Sequence, residues 1–286
     1  MNQKVAFLAI DRFGDDTLAN LSTYPSIYGL YMVNAELPQT KVPTKVAIET
    51  DPLAKLLDGY KILIIVAQCI TPKLMSLLNN QIKPLNILTH LFIDCDSGVS
   101  PSGDLIHYPI CDNVNVVTID ARFEAIAAYI VSINNMMQDN IDLNVDFADL
   151  HNVMLNAKVA KLASGIAFGD KRAIDAVRSA FNYFNLNHAK DYLINIYTSE
   201  QKPVTIKEVS IITGYIQKYN PQSNLLWQVH TLDIFKEDLL VNILASGFLP
   251  QDMPKCERIA QPETPPHNKK LSLWQWIKER FRKDKI

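Results

Sequence analysis

Asp146 and Asp149 stand three residues apart, with Ala148 opening a helical stretch between them. At that spacing both carboxylates crowd a helix N-terminus, where the positive end of the helix dipole favours negative charge. Such a pair can orient a water against a phosphate, or can act simply as an N-terminal cap. Other chemistry-bearing sets are weaker. Gly98-Val99-Ser100-Pro101-Ser102-Gly103 has the outline of a nucleophile elbow. The elbow needs Gly two residues after the Ser, and Ser102 stands there, so the segment reads as a polar surface turn. None of the six histidines pairs with a convincing acid or nucleophile, and His151 reads as a surface contact beside the acid pair. Cys69, Cys95, Cys111 and Cys256 lie far apart with no CxxC. They read as reduced thiols, neither zinc ligands nor a disulfide framework. No metal and no cofactor are expected.

The elements that must position these residues change character along the chain. Val5–Ile10, Leu30–Val33, Ile62–Ala67, Ile87–Ile93 and Val114–Ile119 read as buried strands, rich in aliphatic and β-branched residues. Pro52–Leu57 and Pro72–Asn79 read as short helices between them, each with Pro where a first helical turn accepts it. This alternation predicts a mostly parallel sheet over residues 1–120. The spacing from Ala121 to Met137 predicts a central helix buried on more than one side. Helices are predicted at Ala148–Leu162, Lys171–Phe184 and Ile206–Tyr219, and strands at Tyr192–Tyr197, Leu225–Leu232 and Leu239–Ser246. Residues 141–248 thus read as a second, smaller α/β layer of their own, joined to the first by a central helix over 121–140. Residues 249–270 hold Pro250, Pro254, Pro262, Pro265 and Pro266 among polar residues and read as a flexible linker.

Composition narrows the function classes. Apolar residues make up 48% and charged residues 20%, the balance of a globular protein. A formal charge of −2 provides no basic field for nucleic acid. Met1-Asn2-Gln3-Lys4 runs straight into a strand-like segment, and the densest apolar run, Ile62–Ala67, is far too short to span a bilayer. A cytoplasmic location is expected.

The second half resembles the FtsZ family, the bacterial tubulins. Asn144-Val145-Asp146-Phe147-Ala148-Asp149 is similar to the loop that follows the family's central helix. The resemblance implies that this loop enters the nucleotide pocket of the next filament subunit, with Asn144, Asp146 and Asp149 as the residues acting in trans. Ser164-Gly165-Ile166-Ala167-Phe168-Gly169-Asp170-Lys171-Arg172-Ala173 resembles the family's Gly-x-Ala-x-Gly-x-x-Arg-Ala segment. Leu193–Ile196 and Val241–Phe248 resemble later family strands in order and spacing. The likeness covers about residues 140–248 and implies a tubulin/FtsZ-like α/β fold with a degenerate Rossmann-like N-terminal parallel sheet.

The first half departs from the family where phosphate would bind. Glycine-rich loops cradle phosphates because backbone N–H groups can turn to the anion with no Cβ in the way. Here the first strand is followed by Asp11-Arg12-Phe13-Gly14-Asp15-Asp16, which sets three carboxylates in that place. The strand ending at Ala67 continues as Gln68-Cys69-Ile70-Thr71-Pro72, without glycine. Phe123 can stand for the aromatic that reads guanine in the family, but Ala127 and Ala128 occupy the region where an acid should follow. The expectation is a chain that neither binds GTP in the family manner nor hydrolyses it alone.

At the other end, Leu273, Trp274, Ile277 and Phe281 share one helical face, with Trp276 on its flank. Ser272 and Gln275 form a capping-box pattern. Lys269, Lys270, Lys278, Arg280, Arg282, Lys283 and Lys285 outweigh Glu279 and Asp284 to leave a net charge of +5. Residues 271–286 therefore read as an interfacial membrane helix, similar to the tail helix of FtsA, or as a helix that packs on a partner protein. The combined expectation is an FtsZ-like accessory protein of cell division. Its partners would be FtsZ or another tubulin-like filament protein and the inner face of the cytoplasmic membrane. A scaffold with an idle loop, and a divergent GTPase with an altered pocket, are the alternatives.

Overall fold

The computed structural model describes residues 4–9, 30–34, 44–46, 53–67, 74–94 apart from 75, 77 and 86, 116–136 apart from 122, 145–231 apart from 146, 156, 158 and 185, and 238–248. They build one sheet of ten strands: β1 (Lys4–Ala9), β2 (Leu30–Asn34), β3 (Thr44–Val46), β4 (Tyr60–Ala67), β5 (Leu88–Asp94), β6 (Val116–Ala121), β7 (Val159–Ala167), β8 (Asp191–Thr198), β9 (Asn224–Thr231) and β10 (Leu239–Ser246). The helices are α1 (Leu53–Leu56), α2 (Phe123–Met136), α3 (Phe147–Met154), α4 (Arg172–Phe184) and α5 (Ile206–Tyr219), with a π turn at Leu78–Ile82.

Strand order is β3-β2-β1-β4-β5-β6-β7-β10-β8-β9. Every pairing is parallel except the two that β10 makes, with β7 and β8. The first six strands thus follow a doubly wound order whose direction reverses between β1 and β4. The strands of the second half continue the sheet of the first. Thr118 pairs with Val159 and Ala121 with Leu162, so β6 hands the sheet directly to β7.

Burial on both faces explains why the strands read as continuous apolar runs. On one face, Phe7, Ile64, Phe92, Ile119, Leu162 and Leu244 pack against Ile126, Tyr129, Ile130 and Ile133 of α2. This core runs through both halves of the sheet. On the other face, Leu8, Leu63, Ile65 and Leu91 meet Leu53, Leu57, Leu78 and Ile82. Further along that face, Ala163, Ile194, Ile196 and Val241 meet α4 and α5. In α4 the buried apolar residues are Ala173, Ala176, Val177, Ala180 and Phe181, a helical stripe.

Two elements differ from their sequence-based prediction. The helix expected over Ala148–Leu162 stops at Met154, and Val159–Leu162 belongs to β7. The apolar residues of 159–163 satisfy a helical spacing and a two-sided strand equally well, and pairing on both sides with β6 and β10 decides for the strand. The expected helix over Pro72–Asn79 is replaced, in its described part, by helical residues at Leu74 and Ser76 and by the π turn.

Contact between α4 and β7 depends on Gly165. A Cβ there would lie 2.1 Å from the Ala176 carbonyl oxygen and 2.8 Å from the Ala180 nitrogen. These are backbone atoms of a packed helix and cannot step aside. Gly165→Ala should cost about 3 kcal/mol, at the upper end for overpacking of a core, read as a lowered urea midpoint with unchanged slope. An unchanged midpoint would show that α4 does not sit this close.

Candidate docking edge around helix α3

Val145, buried ahead of α3, enters the same core as Leu150, Val153 and Met154 of the helix. Those inward residues leave Ala148, Asn152 and Leu155 exposed at i, i+4 and i+7, a single outward face. Asp149 lies in the first turn, half-buried at the margin of that face, and His151 is half-buried as well. The C-terminal end of α3 is tied to the sheet where Ser246 Oγ donates to the Val153 carbonyl at 2.8 Å. Ser246 pairs with Ala160 near the start of β7 and with Asp191 at the start of β8, so α3 sits at the amino-terminal edge of both strands.

The edge opposite carries the carboxyl ends of β1 and β4, at Ala9 and Ala67. A doubly wound sheet binds ligands in the crevice outside those ends. α2 leaves the carboxyl end of β6 and, at 14 residues and about 21 Å, returns the chain toward the α3 edge. Asp149 and the crevice outside β1 and β4 are therefore directed to opposite edges of one sheet.

Of the residues singled out in the sequence, Asp149 is described and stands where a helix-terminal acid was expected. Asn144 and Asp146 lie outside the described residues, as do the segments after β1 and β4. So do the tail residues Leu273, Trp274, Trp276, Ile277, Lys278, Phe281 and Arg282 and the whole of 249–286.

The Gly-x-Ala-x-Gly-x-x-Arg-Ala segment serves the fold. Gly165 admits α4, Gly169 turns the chain at φ +79°, and Ala173 enters the core. Arg172, only 1% exposed, is the fastening. Its Nε donates to Glu208 Oε1 at 2.6 Å and its Nη2 to Glu208 Oε2 at 3.1 Å. Nη1 and Nη2 also donate to the Lys202 and Pro203 carbonyls at 3.0 and 2.9 Å. Glu208 in turn closes a capping box with Thr205 at the start of α5. The guanidinium hydrogen bonds pull the Glu208 carboxyl from its usual 4.5 to about 2, against the opposing effect of its partial burial.

A polar row beneath α2 was not read from the sequence. Ser164, Asn242, Asn195 and Gln228 occupy one register level across β7, β10, β8 and β9. Asn242 Nδ2 donates to Ser164 Oγ at 2.8 Å and to the Ala125 carbonyl at 3.3 Å. Gln228 Nε2 donates to Asn195 Oδ1 and to Ser132 Oγ. One level on, Tyr197 OH donates to the Ala128 carbonyl at 3.0 Å, and its ring stacks on His230. Isolated Asn and Gln within apolar strands give no periodic signal, and only the register shows that they form a line. The row ties the backbone of α2 to the second half of the sheet.

No family model matches the chain. It is 28% identical over 121 residues to the cell division protein FtsZ of Porphyromonas gingivalis, which is 41% of this chain and 26% of that one. The chain therefore spans about a quarter of that relative's length in the match. Among solved structures, the empty FtsZ dimer of M. jannaschii superposes with a TM-score of 0.65 at 13% identity, covering 86% of this chain and 89% of that one. The fold is that of FtsZ and tubulin. CetZ1 from Haloferax volcanii, in its GDP-bound form, is similar at a TM-score of 0.60 and 11% identity, over 89% of this chain and 96% of that one. The FtsZ likeness in structure thus extends through the first half, well beyond the stretch whose sequence is recognisable.

Because Glu208 is more acidic folded than unfolded, the Arg172 clasp contributes fully above about pH 4.5, and its contribution is lost as pH falls toward 2. Glu208→Gln should flatten that acid limb in urea unfolding measured across this window. Arg172→Ala, which strands Glu208 and two carbonyls, should cost about 3–5 kcal/mol at pH 7. An acid limb identical in Glu208→Gln and the parent would sink the assignment.

Proposed function

We propose that this chain is a GTP-free accessory subunit of an FtsZ-type filament, which docks its α3 edge on the nucleotide-bearing face of a terminal filament subunit. The observation that carries this reading is the separation of the two edges. α3 with Asp149 lies at the amino edge of β7, while the chain leaves β1 as Asp11-Arg12-Phe13-Gly14-Asp15-Asp16, a single glycine among three acids, and β4 as Gln68-Cys69-Ile70-Thr71, with no glycine. Acids directed away from their own crevice can act only on a neighbour. A subunit with a competent α3 edge and no nucleotide crevice would join a filament at one end and offer no site for the next subunit.

On this reading Asn144, Asp146 and Asp149 meet the neighbour's nucleotide. There they either complete its hydrolytic site by orienting water or simply cap the filament. The segment 271–286 would hold the complex at the inner face of the membrane, and among the described residues no helix is long and apolar enough to cross one. A short helix of that kind binds lipid weakly, at about 1–2 kcal/mol for each apolar side chain inserted, and gains from several copies on one filament.

Purified full-length chain should take up no GTP in a calorimetric titration, yet change the length distribution or GTP hydrolysis rate of assembled FtsZ at substoichiometric ratios. The Asp146→Ala, Asp149→Ala double variant should lose that effect. Saturable micromolar GTP binding would replace the proposal with a divergent GTPase. An effect on filaments that survives the double variant would identify a scaffold whose acid loop is idle.

A further inference from the structure

The sheet ends differently at its two lateral edges. At one, the described part of β3 is three residues long and carries Lys45 at its centre. Shortness and lysine both blunt an edge strand against further pairing. At the other, β9 runs for eight residues, Asn224–Thr231, or about 26 Å. It pairs residue for residue with β8 from Asp191↔Asn224 to Thr198↔Thr231, without a bulge. It contains no Pro and no Lys, Arg, Asp or Glu. Among the described residues no strand pairs with its outer side.

An open edge leaves the N–H and C=O of every second residue turned outward, and a further extended backbone satisfies such a row. The side chains of β9 favour that addition. Leu225 and Val229 are half-buried against the core under α4 and α5. Trp227, between them on the same face, is 37% exposed. On the opposite face Leu226 packs partly on the α2 core, and Gln228 and His230 are buried. Leu225, Leu226, Trp227 and Val229 thus keep apolar surface at the rim that another strand would cover.

We infer that β9 pairs with β9 of a second copy of this chain, antiparallel about a two-fold axis normal to the sheet. Opposed residues of an antiparallel pair share a face, so an axis through Trp227 or Gln228 aligns seven of the eight residues of each strand. With the axis at Gln228, Trp227 lies opposite Val229 and Leu225 opposite Thr231. With the axis at Trp227, the two indoles meet and Leu225 lies opposite Val229. Either register continues Leu225, Trp227 and Val229 as one apolar row across the axis. A two-fold sets each strand's charges against their own copies, and like charges directly opposed are destabilising. β9 brings no such charge, which is what self-pairing requires. A single strand edge buries less than a standard interface, so the dimer is reversible. The strands of one copy then run against those of the other, and the two α3 edges face opposite ways. The pairing is independent of the filament reading. Only its consequence rests on that reading: a dimer with a docking edge at each end joins two filaments by the same kind of end.

Sedimentation equilibrium of the full-length chain between about 1 and 200 µM, the range suited to so small an interface, tests the pairing. A reversible monomer–dimer equilibrium is expected. Trp227→Lys and Trp227→Glu should each weaken it at least about tenfold, because each sets like charges opposite or diagonal across the axis. An equimolar mixture of the two variants should recover the dimer, which local unfolding of β9 would not produce. A parent chain that stays monomeric throughout, whether its edge lies open or is covered by residues 249–286, would overturn the pairing. Open-ended assembly, variants that dimerise as the parent does, or a mixture no more dimeric than its components would do the same. Should the dimer hold while the chain leaves FtsZ filaments unaltered, the filament reading fails and the pairing stands.

Discussion

The pairing of β6 with β7 gives the molecule its polarity. Four register pairs from Thr118↔Val159 to Ala121↔Leu162 join the two halves in parallel, and they fix the direction of the second half relative to the first. Because every strand but β10 then points the same way, the sheet has one edge where strands end and one where they begin. The crevice outside β1 and β4 belongs to the first edge and α3 to the second. Reversal of that one pairing would turn the second half over and bring Asp149 and the crevice to the same side. α2 reinforces the arrangement, since its apolar residues bury against both halves and its Ala125 and Ala128 carbonyls are held by Asn242 and Tyr197.

Such polar tethers have a physical purpose that an apolar interface would not serve. A helix lying on aliphatic side chains can slide by a turn at little cost, because one leucine contact resembles the next. Hydrogen bonds from fixed sheet positions to particular helix carbonyls select one register. The Arg172 clasp acts similarly on the opposite face. By binding Glu208 and two loop carbonyls it sets the start of α5 against the start of α4. The Gly165–Ala173 segment is thus explained by close approach, a left-handed turn and a buried ion pair, with no appeal to catalysis.

Legibility in the sequence followed the strength of local signals. Ile206–Tyr219 is written by its Thr205–Glu208 capping box and an apolar stripe, and Leu239–Ser246 by seven small or aliphatic residues interrupted only by Asn242, and both match their predicted bounds. The three-residue strand β3 leaves no pattern, and the two-sided burial of β7 imitates a helix. Continuity of the sheet was hidden, because backbone pairing between β6 and β7 depends on neither side-chain pattern. Asp149 was legible as a helix-terminal acid. Its distance from the crevice was not, since that follows from strand direction alone.

The two edges also differ in what holds them, and this bears on how one can change without the other. α3 is anchored by Val145, Leu150, Val153 and Met154 in the core beneath α2 and by Ser246 at the end of β10. None of these residues lies in the segments that follow β1 or β4. In a doubly wound sheet the residues that cradle a phosphate are loop positions beyond the strand ends, and loops as a class contribute less to packing than the elements they join. Substitutions at the crevice edge therefore leave the α3 edge standing, whereas substitutions in the anchor of α3 would disturb the core shared by both halves. Under the proposed reading, a filament subunit that loses its glycine loops keeps its docking edge intact because that edge is part of the fold. Gly165 and Arg172, which the fold requires, remain alongside it, while the crevice sequence is free to diverge.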